Sequence, residues 1–395
     1  MQKNNEVAVL DIGSGKIRAA VAEKNSRVSI IPRGIGEADY AGYSDGQWLE
    51  PEKLKSAALA VVEKAEALSG CKIKKIFVGM PAEFMYSVCK EVALVFDKAR
   101  KISSGEMSEL LKRGDKFDNE DKYFTINCSP VYFLLGDNKR IIEPRGLVSD
   151  TIKALVSYIR CDRAAAEKIR GAFEGTGIRV EFVSAVLAET LYLFEPQERD
   201  RYVLFADIGY ISSSLAILRG DGILHLSSFS LGGAHISADI SELFGIPFAE
   251  AERIKDEVGL DGLDETVRIK LGSSSDGEIS GKDLSVVIRD RLCDFADAIK
   301  LCIKKSFYDC PLHITLFLTG GGISSLKGAK EFLSEIIGRN IEIIAPNVPK
   351  YDKPYYSSLF GLVNIGGSAD DAEAEAAAKS KKGLFYKLFN KFGGK

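Results

Sequence analysis

Two matching segments, one in each half of the chain, constrain the fold more than any other feature of the sequence. Each begins with a short apolar run, at residues 7–10 and 202–206, that leads into Asp-Ile-Gly. A second apolar run follows each turn, so both segments predict β-hairpins rather than strands that enter helices. The two copies lie roughly 200 residues apart, which is a domain length and indicates an internal duplication.

Both hairpins carry the residue types of an anion-binding loop. Glycine lets backbone amides approach a phosphate closely, and a neighbouring carboxylate can hold the water shell of Mg²⁺. We therefore predict that Asp11 and Asp207 hold Mg²⁺ through water. Phosphate contacts are expected at Gly13, Ser14, Gly15 and Lys16 in the first loop and at Gly209, Ser212 and Ser213 in the second.

Competing interpretations of these glycines fit less well. A lone Asp-x-Gly is usually only a turn, but two copies between strands, one domain apart, favour a function. The first loop is not a Walker loop, because Leu10 stands where its first glycine belongs and Ile17 where Ser or Thr should follow. The segment GGGISS at 320–325 is not a dinucleotide fingerprint, because Ser325 replaces the third glycine.

Five further motifs make the resemblance to a known family specific. They are SAVLAETL (184–191), AERIK (251–255), LTGGGISSLKG (318–328), KPYYSSLFGLVNIG (353–366) and EPRGLVSDTIKA (143–154). Together with the hairpins they resemble the superfamily of actin, sugar kinases and heat-shock chaperones. Within it the chain is similar to FtsA, a family of bacterial division proteins that tether FtsZ filaments to the membrane.

The resemblance implies an α/β, actin-like (ribonuclease H-like), duplicated two-domain fold with an inserted small α+β subdomain. ATP and Mg²⁺ would bind between the domains, with adenosine contacts at Glu252, Lys255, Gly320, Gly321 and Gly322 and further cofactor contacts at Gly232 and Gly233. The implied divisions are a first actin-like domain (1–82, resumed at 161–198 with the first connecting helix), the insertion (83–160), a second actin-like domain with an FtsZ-binding subdomain (199–365), a flexible acidic linker (366–378) and an amphipathic membrane-targeting helix (379–395).

The second hairpin departs from the family pattern. It reads DIGYISSS, where many relatives have a glycine-rich run that ends in Thr. Tyr210 is bulky and crowds the place where the backbone should approach phosphate, although Ser212 and Ser213 supply hydroxyls. We therefore expect nucleotide binding with at most weak ATPase activity.

The last residues have the composition of a membrane-surface helix. Leu384, Phe385, Leu388, Phe389 and Phe392 fall on one helical face, and lysines such as Lys387 and Lys391 lie mostly on the other face or at its edges. Such a helix would bind anionic lipids of the inner membrane. The alternatives are a helix that packs on its own body and a calmodulin-type target sequence.

Composition limits the remaining function classes. A formal net charge of −3 provides no overall field that attracts nucleic acid, so we expect none as a partner. The seven scattered cysteines include no Cys-x-x-Cys pair, which excludes structural zinc and suits a reducing compartment. No secretory signal or spanning segment is recognisable.

The resemblance therefore implies a peripheral protein on the cytoplasmic face of the cell membrane, at the division septum. Its implied partners are the C-terminal peptide of FtsZ, bound by the helical region around 231–258, and further copies of itself. Two other functions stay open at this point: an actin-fold small-molecule kinase and a PilM-like scaffold of pilus assembly.

Overall fold

The computed structural model describes residues 6–26, 29–136, 139–260, 266–270, 276–306, 308 and 310–378. In chain order its strands are β1 (Glu6–Ile12), β2 (Lys16–Ser26), β3 (Ser29–Asp39), β4 (Tyr43–Ser44), β5 (Gln47–Trp48), β6 (Lys75–Met80), β7 (Met85–Lys101), β8 (Tyr123–Leu135), β9 (Arg140–Ile141), β10 (Val148–Asp162), β11 (Arg179–Ser184), β12 (Val203–Ile208), β13 (Ser213–Arg219), β14 (Gly222–Phe229), β15 (Thr266–Lys270), β16 (Asp276–Ser280), β17 (Leu316–Thr319) and β18 (Ile341–Ile343). The helices are α1 (Pro51–Ser69), α2 (Ser104–Arg113), α3 (Arg163–Ala172), α4 (Ala185–Leu193), α5 (Pro196–Arg199), α6 (Gly233–Phe244), α7 (Phe248–Val258), α8 (Gly281–Lys305), α9 (Ala329–Ile337) and α10 (Ser357–Ala378), with 3₁₀ turns at Ala82–Phe84 and Pro354–Tyr356.

The two halves contain five-stranded sheets of the same topology. The first sheet has the order β11-β6-β1-β2-β3 and the second has the order β18-β17-β12-β13-β14. In the first, β1, β2 and β3 form an antiparallel meander, and β6 and β11 continue the sheet in parallel. In the second, β12, β13 and β14 form the same meander, and β17 and β18 continue it in parallel. The predicted duplication is therefore present in the backbone.

Helices cover both faces of the first sheet, which explains the near-continuous apolar runs of its strands. Leu10 on β1 packs with Leu54 of α1 in one core cluster. The neighbouring Val9 points to the opposite face, where it packs with Phe360 of α10. Because successive side chains of a strand alternate between faces, Asp11 lies on the same side as Val9 and faces α10.

The insertion between β6 and α3 forms its own antiparallel sheet, in the order β7-β10-β8-β9, with α2 packed on one face. Its other contacts reach the second domain. The hydroxyl of Ser157 on β10 donates to the carbonyl of Ile223 on β14 at 2.6 Å. Gly220 has a φ of 59° and lies so close to β8 that a Cβ there would be 2.2 Å from the carbonyl oxygen of Val131. The predicted α+β subdomain thus belongs covalently to the first half and packs against the second.

Two helices, α4 and α10, connect the halves and cross at close range. A Cβ on Gly361 would lie 2.6 Å from the carbonyl carbon of Ala188, so only glycine allows this approach. The motifs predicted for the two connecting helices, 184–191 and 358–363, lie within these elements except for Ser184, which is the N-cap of α4.

The structure differs from the sequence prediction at 366–378, which was expected to be a flexible linker. The helix α10 instead continues to Ala378. The segment is rich in alanine and glutamate, which have high helix propensity, and it follows a helix that is already nucleated. The other domain boundaries remain predictions.

Candidate functional site

The two Asp-Ile-Gly hairpins turn through loops of equal length and shape. Ile12 pairs with Ile17 across the first hairpin, and Ile208 pairs with Ser213 across the second. Each loop therefore has four residues, Gly13-Ser14-Gly15-Lys16 and Gly209-Tyr210-Ile211-Ser212. A Cβ on the first residue of either loop would lie within 2.8 Å of the carbonyl oxygen of its fourth residue, so both loops require glycine there.

Both loops face one large cavity of about 1190 Å³ between the halves. This is larger than the roughly 300–1,000 Å³ of ordinary ligand pockets. Of the predicted ligand residues, the following line it: Asp11, Gly13, Ser14, Gly15, Lys16, Asp207, Gly209, Ser212, Ser213, Glu252, Gly320 and Gly321. Residues from four separate parts of the chain thus meet at one cavity.

Four predicted residues stand behind the cavity wall instead of lining it: Gly232, Gly233, Lys255 and Gly322. A Cβ on Gly233 would lie 2.3 Å from the carbonyl oxygen of Gly322, so these glycines let two backbone segments touch. Lys255 is buried, and its ammonium lies 2.9 Å from Oε1 of Glu252 and 3.4 Å from the carbonyl oxygen of Gly233. It holds the carboxylate of Glu252 at the wall.

Asp11 is tied to the second connecting helix. Its Oδ1 accepts a hydrogen bond of 2.7 Å from the hydroxyl of Ser358, the second residue of α10. Burial raises the pKa of the Asp11 carboxyl above its ordinary value, and Arg18 and Ser358 oppose that rise. Arg18 itself is held by Glu37 at 2.6 Å.

Asp207 sits against the third glycine-rich loop. A Cβ on Gly320, which has a φ of 89°, would lie 2.0 Å from Oδ1 of Asp207. Burial, together with the charge of Asp11, raises the pKa of Asp207 to about 7. The two aspartates therefore share a cavity floor that disfavours a second negative charge while no cation is nearby.

Glu189 is a cavity residue that the sequence analysis missed. It lies on α4, is 2% exposed, and its Oε2 has no hydrogen-bond partner within the described part of the chain. Burial and the charges of Asp207 and Asp11 raise its pKa well above the ordinary value. The signal in the sequence was a single carboxylate in the otherwise apolar or small-residue run SAVLAETL.

Comparisons with known proteins agree with this geometry. The family model of cell division protein FtsA matches residues 204–361. The FtsA of Escherichia coli (strain K12) is 24% identical, and the match covers 97% of this chain and 96% of that protein. The FtsA of Enterococcus hirae is 24% identical, with 96% and 86% covered. The predicted resemblance to the FtsA family is confirmed.

Solved structures show the fold. PilM in the PilM–PilN complex of type IV pilus biogenesis has a TM-score of 0.63 at 17% identity, covering 92% of this chain and 99% of that one. MreB5 of Spiroplasma citri, bound to AMPPNP, has a TM-score of 0.56 at 12% identity, covering 95% and 99%. The chain therefore has the actin-like α/β fold that its FtsA relatives imply.

Two side chains of the hairpin loops, Lys16 and Tyr210, do not point as their predicted roles at a phosphate would suggest. Lys16 pairs with Glu37 at 2.7 Å and lies 3.6 Å from Asp39, so its charge is directed along β3 rather than into the loop. Tyr210 packs its ring on the first loop, where a Cβ on Gly15 would lie 2.4 Å from Cδ1 of the tyrosine. The tyrosine thus crowds the first loop and not only its own.

The described residues limit two other classes of site. Within the described ranges, no group of three or more His, Cys, Asp or Glu side chains is arranged to hold a metal ion directly. No helix among them is both long and apolar enough to cross a membrane. The predicted membrane contacts Leu384, Phe385, Leu388, Phe389, Phe392, Lys387 and Lys391 lie outside the described residues.

Proposed function

We propose that the chain is an ATP- and magnesium-binding protein of cell division that tethers FtsZ to the membrane and assembles with copies of itself. One observation carries the nucleotide part: two equivalent glycine-started loops from opposite halves face a single cavity, with an aspartate beside each. The names of the FtsA relatives support the role in division.

The residues present fit a magnesium nucleotide. Three glycine positions, Gly13, Gly209 and Gly320, keep the backbone bare where side chains would collide, as a phosphate cradle needs. Two carboxylates are fewer than a direct cage would use, which suits Mg²⁺ because it keeps several waters. Asp11 and Asp207 would hold those waters, and the ion would neutralise phosphate charge. Glu252 would contact the adenosine.

Surface chemistry supports a peptide site on the second domain. Leu243 of α6 and Phe248 of α7 are 67% and 39% exposed, in the region that the resemblance assigns to FtsZ. Exposed apolar side chains at the ends of neighbouring helices suit an apolar peptide face. The amphipathic segment 379–395 would attach this body to anionic lipid at the cytoplasmic face of the septal membrane.

A thermal-shift experiment tests the nucleotide part. ATP with magnesium at about 100 times its Kd stabilises the folded state by about 2.7 kcal/mol, which raises the Tm by several degrees. Asp11→Ala should remove this rise. Asp115→Ala is the matched control, because Asp115 is a partly buried aspartate that accepts a hydrogen bond from Thr125 in the insertion. A wild-type Tm that ATP leaves unchanged would contradict nucleotide binding.

Two further experiments test the partners. Deletion of 379–395 should abolish co-sedimentation with anionic vesicles, with neutral vesicles as the control; undiminished sedimentation would rule out the tether. Leu243→Asp should weaken binding of an FtsZ C-terminal peptide at least about tenfold, the loss expected for a central apolar contact. Val95→Asp, at a valine of the insertion that is 76% exposed against 67% for Leu243, should not weaken it.

A pilus-assembly scaffold is the second candidate, because the likeness to PilM extends over nearly the whole fold. Such a scaffold has no use for a lipid-binding tail, so the vesicle experiment separates the two functions. The small-molecule kinase stays an alternative only if a substrate stimulates phosphate release from ATP.

A further inference from the structure

The two phosphate loops touch each other through a serine. The hydroxyl oxygen of Ser14, in the first loop, accepts hydrogen bonds from the backbone amides of Ile211 at 3.0 Å and Ser212 at 3.3 Å, in the second. Ser14 is 4% exposed, so this contact is shielded from water. The first loop therefore occupies two successive backbone donors of the second loop, beside the cavity that Ser14 and Ser212 line.

Two successive backbone amides directed at one oxygen are a typical anion-binding arrangement. Such a pair adds two partial positive charges at one point, and hydrogen bonds to a charged oxygen are roughly twice as strong as those to a neutral one. A serine hydroxyl is neutral and is thus the weaker occupant. A phosphoryl oxygen would satisfy both amides better, but only after Ser14 has left.

A second contact closes the loops from the opposite direction. The ring of Tyr210, in the second loop, lies on Gly15 of the first, close enough that a Cβ on the glycine would be 2.4 Å from the ring. Both residues line the cavity. The ring occupies the volume above the first loop, which a phosphate chain bound there would need.

We propose that Ser14 and Tyr210 hold the two loops together while no ligand is bound, so that a phosphate chain binds only after Ser14 leaves the amides of Ile211 and Ser212. The proposal rests on the nucleotide function proposed above and adds an obligatory opening step. A ligand with a phosphate chain gains the two amides only when the loops separate, so its apparent affinity is lowered by the fraction of molecules that are open. Adenosine, which has no phosphate, gains nothing from the opening.

Stopped-flow binding of a fluorescent ATP analogue with magnesium tests this in the full chain. Ser14→Ala and Tyr210→Gly should each raise the apparent association rate at least about fivefold, because the closed population falls. Each should also lower the Tm of the ligand-free protein and enlarge the Tm rise that ATP produces. Adenosine should bind the wild type and both variants equally.

Ser157→Ala is the matched control. It removes another buried hydroxyl that joins the two halves, at 2.6 Å from the carbonyl of Ile223, but Ser157 does not line the cavity. Ser157→Ala should lower the Tm without raising the association rate of the ATP analogue. Equal rates for wild type, Ser14→Ala and Tyr210→Gly would overturn the proposal while leaving nucleotide binding intact. If no variant binds ATP at millimolar concentration, the proposed nucleotide function fails, and the opening step with it.

Discussion

The loops of the two hairpins, residues 13–16 and 209–212, follow the same backbone course and differ at three of their four positions. Gly13 and Gly209 hold equivalent places, but Ser14 corresponds to Tyr210 and Gly15 to Ile211. The second residue of each loop reaches over the other loop: Ser14 reaches the amides at 211 and 212, and Tyr210 lies on Gly15. The two copies therefore keep the same hairpin backbone, but their side chains differ so that each loop contacts the other.

We expect the largest loss of stability from a substitution in the third glycine-rich loop, because a side chain at Gly320 has no room beside Asp207. Gly320→Ala places a Cβ 2.0 Å from Oδ1 of Asp207 and forces an L-residue to a φ of 89°. We expect a loss of about 3 kcal/mol or more in the free energy of unfolding, measured by urea denaturation. Gly70→Ala has a φ of 69° with no atom within 4 Å, so it should cost only about 1 kcal/mol. Equal losses would show that the positive φ alone, and not the contact with Asp207, determines the loss in the free energy of unfolding.

Alanine at the two glycines of the first loop distinguishes a backbone neighbour from a side-chain neighbour. A Cβ on Gly13 meets the carbonyl oxygen of Lys16 at 2.8 Å, whereas one on Gly15 meets the Tyr210 ring. Gly13→Ala should cost about 2 kcal/mol, which no change at Tyr210 restores. Gly15→Ala should cost a similar amount that Tyr210→Gly largely restores, as a double-mutant cycle would show. A cycle with no coupling would mean that the loops do not touch in solution.

The buried aspartates beside the loops predict that stability falls with rising pH. Most carboxylates of folded proteins have the opposite effect on stability. Because burial and the charge of Asp11 raise the pKa of Asp207 from its ordinary 3.8 to about 7, the folded state holds the proton more tightly than the unfolded state. Stability in metal-free buffer should therefore fall as pH rises from about 4 to about 7, by at most about 1.4 kcal/mol per pH unit for one proton, and level off above that. Asp207→Asn should flatten the curve, and a wild-type curve that rises with pH would contradict this.

The smallest effect concerns the hydrogen bond that joins the first loop's aspartate to α10. Ser358→Ala removes a donor to Asp11 and should cost about 1.5 kcal/mol. Ser368→Ala, on the exposed part of the same helix, should change stability by no more than about 0.5 kcal/mol. Thermal or urea unfolding measures both, and indistinguishable variants would remove the link between Asp11 and the helix.

The hairpins and the insertion could be predicted because their signals are local. Asp-Ile-Gly between apolar runs dictates a strand, a turn and a strand whatever lies elsewhere in the chain. Glu189 could not be placed in this way, because its side chain reaches the cavity only through the crossing of α4 with α10. Likewise, the pairing of Lys16 with Glu37 depends on the register between β2 and β3, which contains irregularities that the sequence does not reveal.

The linker prediction failed for a related reason. Glycine at 366 and 367 normally ends a helix, and the acidic residues that follow suggest solvent. In the fold, a Cβ on Gly366 would lie 2.6 Å from the side chain of Val7, so this glycine serves close packing rather than a turn. Tertiary contact thus outweighed local preference, and the alanine-rich remainder extended the helix.

The course of α10 has a mechanical meaning. The helix starts beside the cavity at Ser358, is seated on the first sheet as far as Gly366, and runs on to Ala378, a total of roughly 33 Å at 1.5 Å per residue. The end of the described helix at Ala378 therefore extends from the first domain. A change in the angle between the halves would swing the second domain relative to that end of α10.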